Sequence, residues 1–176
     1  MQEQDSKIFI LLITGPVGVG KTVVADAVSD LLTEQGVPNA VIDMDALRWA
    51  YPRPQDDPFN TKFGFDNLKT IWPNYAKLNI KHLVIPNVIE KRLDIEPFKE
   101  VIPNAEIRVV RLIANPDTLH KRLEQREAGD SLERHKKRAL ELDELFNKRT
   151  VEDFVVENEN KTVSEVAKEI LTKWQT

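Results

Sequence analysis

Eight residues, Gly15-Pro16-Val17-Gly18-Val19-Gly20-Lys21-Thr22, constrain this chain more than any other stretch, because they fit G-x-x-x-x-G-K-[ST] and lie between two different periodicities. Before them, Lys7 to Thr14 is a continuous aliphatic and β-branched run, the pattern of a parallel strand buried on both faces. After them, Val24, Val28, Leu31 and Leu32 recur on one helical face until Gly36 supplies a stop and Pro38 prevents continuation. Strand, glycine-rich turn and helix in that order make a phosphate cradle. The glycines let backbone N–H groups turn inward toward phosphate oxygens, and the helix presents its positive end to the same anion. Lys21 is then placed to reach the β- and γ-phosphates of ATP, and Thr22 to offer a hydroxyl to Mg²⁺, which prefers hard oxygen ligands.

The alternation continues beyond this unit. Ala40 to Met44 reads as a second short strand, and the proline-rich stretch Tyr51 to Pro58 as a loop. A helix carrying Leu68, Ile71, Trp72 and Tyr75 follows, which Pro73 must kink or shorten. A third strand runs from His82 to about Ile85, with pairing expected to stop at Pro86. A fourth, Glu106 to Ala114, leads into Asn115-Pro116-Asp117, where Asn115 suits an N-cap and Pro116 the first helical position. That helix reaches about Glu127. Gly129 breaks it, Ser131 is expected to cap the next, and Leu132, Ala139, Leu142 and Phe146 form that helix's apolar stripe. Phe154 to Val156 read as a fifth strand. Thr162-Val163-Ser164-Glu165 is a capping box opening a last helix that buries Val163, Val166, Ala167, Ile170, Leu171 and Trp174. Five strands alternating with helices imply an α/β, doubly wound parallel sheet in a single domain over 1–176, with ligands at the carboxyl ends of the strands.

Composition narrows the class. The chain has 176 residues, no cysteine, and only three histidines, His82, His120 and His135, so neither a disulfide framework nor a clustered zinc site is expected. The run Ile8 to Ile13 is too short to span a bilayer, and Gln2, Glu3, Gln4 and Asp5 precede it where a signal peptide carries positive charge. A cytoplasmic protein without membrane partners is the expectation. The net charge of -4 argues against a long nucleic-acid partner.

A cradle for phosphates belongs equally to switches, motors and kinases, so the other strand ends must decide. The second strand ends in Asp43-Met44-Asp45, followed by Ala46-Leu47-Arg48. Strand side chains repeat every two residues, which puts Asp43 and Asp45 on one face at the sheet edge beside the phosphates. One carboxylate can then serve Mg²⁺, the other accept the proton of a substrate hydroxyl, and Arg48 grip an anionic substrate group. The competing reading has Arg48 merely pairing with these acids.

The D-x-D-x-x-R segment resembles that of adenylylsulfate kinase, and the overall plan is similar to shikimate and gluconate kinases and to chloramphenicol phosphotransferase. The resemblance covers most of the chain. It implies a P-loop NTPase fold with sheet order 2-3-1-4-5, ATP as donor, and Asp45 near the acceptor hydroxyl. It also implies a lid-like helical segment over 115–149, while 51–80 is expected to form the acceptor-binding segment although it matches no family signature. The third strand departs from the wider P-loop pattern, ending Val84-Ile85-Pro86-Asn87 without the acid of a Walker-B motif, so Mg²⁺ must lean on Thr22 and the Asp43/Asp45 pair. By the same resemblance Lys91 and Arg92 stand where gluconate kinases carry basic residues toward substrate. Leu119, Arg122, Leu123 and Arg126 share one helical sector, so both arginines border a buried seam, able to lean on adenine or neutralise the triphosphate. Arg134, Lys136, Lys137 and Arg138 read as a solvated charge run, His135 as structural, and Trp49, Trp72 and Tyr75 as core aromatics sooner than ligand contacts.

The function expected is an ATP-dependent phosphotransferase, with Asp45 and Lys21 catalytic and Arg48 and Arg92 binding acceptor. Gly15, Pro16, Val17, Gly18, Val19, Gly20, Lys21, Thr22, Arg122 and Arg126 bind nucleotide, and Thr22 and Asp43 bind Mg²⁺. The acceptor is a hydroxyl of a small metabolite, anionic if Arg48 grips it, or of an antibiotic. The alternatives are a nucleotide or polynucleotide kinase, and a non-catalytic ATP-binding regulatory module.

Overall fold

The apolar run at β1 (Ile8–Thr14) divides between two faces: Ile10 and Leu12 enter one core, Leu11 and Ile13 the other, and all four are fully buried. Such a strand must lie in the middle of a sheet packed on both sides. The computed structural model describes residues 7–175, so Gln2, Glu3, Gln4 and Asp5 lie outside the described residues. After β1 come α1 (Lys21–Glu34), β2 (Asn39–Val41), α2 (Met44–Leu47), α3 (Thr61–Lys77) and β3 (His82–Pro86). A 3₁₀ turn (Arg92–Ile95), α4 (Glu96–Val101), β4 (Ala105–Ile113), α5 (Pro116–Arg126), α6 (Gly129–Lys148), β5 (Phe154–Glu157) and α7 (Val163–Gln175) complete the chain.

The five strands form one parallel sheet in the order β2-β3-β1-β4-β5, the order expected. On one face α1 and α7 close a core through Val24, Val28, Ile170 and Trp174; on the other, Leu68, Trp72, Phe98 and Leu142 close a second. Two of the three expected caps form. Asn115 accepts from the Asp117 amide at 3.0 Å, and Glu165 accepts from the Thr162 amide at 2.7 Å while Thr162 Oγ1 accepts from the Glu165 amide at 3.2 Å. No helix among the described residues is long and apolar enough to cross a membrane.

Local expectations fail where a competing interaction wins. β2 stops at Val41, because the Asp43 carboxylate accepts the amides of Asp45 (2.8 Å) and Ala46 (3.4 Å) and caps α2. α3 runs through Pro73 to Lys77: both Pro73 and Lys69, whose carbonyl loses its helical partner, lie on the exposed side of the helix, where water can replace the missing bond. β3 pairs through Pro86 opposite Ile13, and the next amide, of Asn87, takes up the ladder by donating to Ile13 at 3.0 Å. α6 begins at Gly129 after an Ala128 cap, and Ser131 donates to Glu127 at 3.0 Å instead of capping. Val163 is 37% exposed on a helix otherwise well packed. Neither the 3₁₀ turn nor α4 was legible, since Asp94 builds that corner by accepting the amides of Glu90 (3.0 Å) and Lys91 (3.1 Å).

Candidate active site

The cradle stands at the carboxyl end of β1. At Gly15 a Cβ would lie 2.5 Å from the Leu112 carbonyl oxygen of β4, so only glycine lets the turn leave the sheet here. Gly20, left-handed with φ 95°, caps α1 without any side-chain bond, which leaves the first amides of the helix directed at the space above the loop. The loop is held from behind at one carbonyl, Val19 O, which accepts Asn158 Nδ2 at 2.7 Å and Arg122 Nη1 at 3.3 Å. In front, Lys21 Nζ donates to the carbonyls of Gly15 and Pro16, each at 3.0 Å. Burial pushes the Lys21 ammonium down to about 8; Asp45 and Asp43 pull it up, and Arg126 pushes it further down.

Thr22, on the first turn of α1, donates to Asp43 Oδ2 at 3.4 Å. This pairs a hydroxyl with a carboxylate, both hard oxygen donors, at the cradle's edge. Mg²⁺ keeps most of its waters and takes its remaining ligands from phosphates and one or two carboxylates, so this pair suits it without a protein cage. No cluster of three or more acidic or histidine ligands occurs among the described residues.

Asp45 and Arg48 are one helical turn apart on α2 and its C-cap and form an ion pair at 3.0 Å. Arg48 Nη2 also donates to Asn87 Oδ1 at the end of β3, and its Nε donates to Met44 O at 3.2 Å, so the guanidinium is fixed between two elements. Pairing with the acid therefore occurs, yet it leaves both groups at a cavity wall. A cavity of about 530 Å³ opens over Gly18, Gly20, Lys21 and Thr22. A second, of about 630 Å³, extends toward the 3₁₀ turn and α6. Val17, Asp45, Arg48, Phe59, Val88 and Arg138 line both, so the two are one trough with the aspartate at the joint.

The basic residues divide differently from expectation. Arg126 lines the cradle cavity, where it also pairs with Glu127 at 2.8 Å. Arg122 stays behind the loop, on the carbonyls of Val19 and Asn158 (3.0 Å). Arg92 is not brought to the trough: it pairs with Asp153 at 2.6 Å, whose other oxygen accepts the Val109 amide at 2.7 Å, while its neighbour Lys91 lines the second cavity. Arg138 is no solvated charge; it bonds Glu90 and lines both cavities. His135 lines the cradle cavity and pairs through Nδ1 with Glu127. Burial opposes the Glu127 charge, but hydrogen bonds from Arg126, His135 and Ser131 outweigh it and hold that carboxyl at about 2. Trp72 and Tyr75 belong to the core, whereas Trp49 is 85% exposed beside the cradle.

Four contributors were missed: Asn158, Asn87, Arg138 and Arg149, the last on the wall of the second cavity. A spacing signal existed for one of them, since Arg138 lies four residues before Leu142 on the inward side of α6.

The resemblance to small P-loop kinases holds in the comparisons. The adenylylsulphate kinase family matches residues 7–71, which span the cradle and the D-x-D-x-x-R segment. No curated protein matches the chain by sequence. Among solved structures, a gluconokinase from Sinorhizobium meliloti is 18% identical over 98% of this chain and 94% of its own, with a TM-score of 0.61. The tunicamycin resistance protein of Deinococcus radiodurans is 20% identical over 95% of each chain, TM-score 0.63. The APS kinase of Mycobacterium tuberculosis, in complex with AMPPNP and APS, is 22% identical over 97% of this chain and 99% of its own, TM-score 0.60. The fold is the P-loop NTPase fold in its kinase-like form.

Proposed function

We propose that this protein is an ATP-dependent kinase that moves the γ-phosphoryl group to a hydroxyl of a small acceptor. The observation that carries the reading is the joint of the trough: Asp45 and Arg48 line the cradle cavity and the second cavity alike. A donor held by Lys21 and the amides of Gly15 to Thr22 would thus meet an acceptor held against α2. Asp45, which is 79% exposed by side chain, would accept the hydroxyl proton, and Arg48 would orient the acceptor. Thr22 and Asp43 would hold Mg²⁺, which when bound supplies charge neutralisation between the phosphates. Arg126 and Arg138, from α5 and α6, would add positive charge over the phosphates, with 115–149 acting as the lid and 51–80 as the acceptor side.

The test is ADP release with Mg²⁺ and ATP against a panel of hydroxylated metabolites, sugars, nucleosides and antibiotics, followed by Asp45→Asn with the best acceptor. Turnover in the variant should fall by ~10²- to 10⁴-fold with ATP affinity little changed. Equal rates for variant and parent would falsify the base role. ATP binding with no acceptor-dependent turnover would favour the regulatory module.

A further inference from the structure

The second cavity is poorly made for a polyol. On the floor and mouth it carries Met44, Phe65, Val88, Pro97 and Leu142, and two large apolar side chains, Phe59 and Leu93, stand 71% exposed at its rim. Exposed apolar groups scattered singly mean little, but five of the nine large ones among the described residues gather at the trough and the adjoining loop: Val23, Trp49, Tyr51, Phe59 and Leu93. Most polar groups in the cavity are already engaged. Asn87 and one oxygen of Asp45 hold Arg48, which leaves the other Asp45 oxygen open; Glu90 holds Arg138, and Asp94 accepts two backbone amides. A sugar acid with a hydroxyl on every carbon would find few free partners there, and each unmatched hydroxyl would cost its hydration. Two cations are left over. Lys91 and Arg149 line the same cavity and have no acidic partner among the described residues.

We infer that the acceptor is an amphipathic hydroxy acid: one hydroxyl at Asp45, an aryl or branched apolar body against Phe59, Phe65 and Leu93, and an anionic group between Lys91 and Arg149. This rests on the kinase reading of the same trough and names the chemical class that its acceptor side selects.

Three probes separate the components: mandelate (ring, hydroxyl, carboxylate), phenylethanediol (ring and hydroxyls, no charge) and gluconate (hydroxyls and carboxylate, no ring). Their binding to the full chain is measured by calorimetry with and without AMPPNP and Mg²⁺, and binding of AMPPNP itself is measured alongside. Mandelate should bind ~10-fold or more tightly than gluconate, the value of an apolar ring withdrawn from water. It should also exceed phenylethanediol, and the double variant Lys91→Gln, Arg149→Gln should weaken mandelate ~10-fold while leaving phenylethanediol unchanged. Both substitutions lie on exposed side chains, and an unchanged melting temperature checks that the fold survives. Gluconate binding as tightly as mandelate, phenylethanediol equalling it, or no binding of any probe while AMPPNP still binds would each overturn the inference. Failure of AMPPNP to bind would strike the kinase reading instead, and the ranking measured without it would still decide the acceptor class.

Discussion

The two walls of the trough are built by different means. On the cradle side the contacts run through backbone: Gly15 against Leu112 O, Val19 O between Asn158 and Arg122, and Lys21 Nζ on two carbonyls. On the acceptor side they run through side chains from separate elements: Arg48 on Asp45 and Asn87, Arg138 on Glu90, and the exposed rings and cations of the rim. Backbone carbonyls keep their place whatever residue carries them, which suits a wall that holds one kind of ligand. Side-chain contacts can be exchanged singly, which suits a wall that chooses among acceptors.

Beyond the loss of transfer expected of Asp45→Asn at the joint, changes on the cradle wall should be the most severe, because Lys21→Ala is expected to cost turnover and nucleotide affinity together. Removing its ammonium should cut turnover by ~10²- to 10³-fold and weaken AMPPNP binding, with circular dichroism and melting temperature unchanged. A variant that turned over normally would erase the distinction between the walls. The sharpest probe of the other wall is Gly64, on α3, where an added Cβ would lie 3.2 Å from the Arg48 Cβ and 3.7 Å from Met44 Cε. Gly64→Ala should therefore displace Arg48 and raise the acceptor KM by ~10-fold, leaving nucleotide affinity intact. An equal loss on the nucleotide side would show that the walls are coupled.

Smaller effects should follow from the clamp and from pH. Asn158→Ala removes a buried bond to Val19 O and should cost about 1–3 kcal/mol of unfolding free energy by denaturant titration, with only a few-fold change in nucleotide affinity. The free Lys21 ammonium titrates at about 8, and anionic phosphates raise it, so nucleotide affinity should be full below about pH 8 and decline as pH rises above it. Calorimetry on either side of that value checks the sign, and affinity increasing with pH would overturn it.

How much could be read in advance follows the same division. The cradle was legible because strand, turn and helix are adjacent in the chain and every constraint on them is local: apolar alternation, glycine φ, a helix start. The caps at Asn115 and Thr162 were legible for the same reason, and the sheet order came with the resemblance. The pairing of Asp43 with Asp45 was placed correctly beside the cradle but for the wrong cause, since a capping carboxylate competed with strand alternation and won. The acceptor wall was not legible. Sequence by itself determined the five strands in outline, the longer helices and the cradle that joins the first two elements; only tertiary structure decided the short helices α2 and α4, that Lys91 faces the cavity while Arg92 reaches across to Asp153, that Arg138 meets Glu90, and that Asn158 closes on Val19. Neighbouring cations on a polar segment are alike in composition and periodicity. Long, flexible side chains take their direction from whichever partner the fold delivers, and those partners stand far away along the chain.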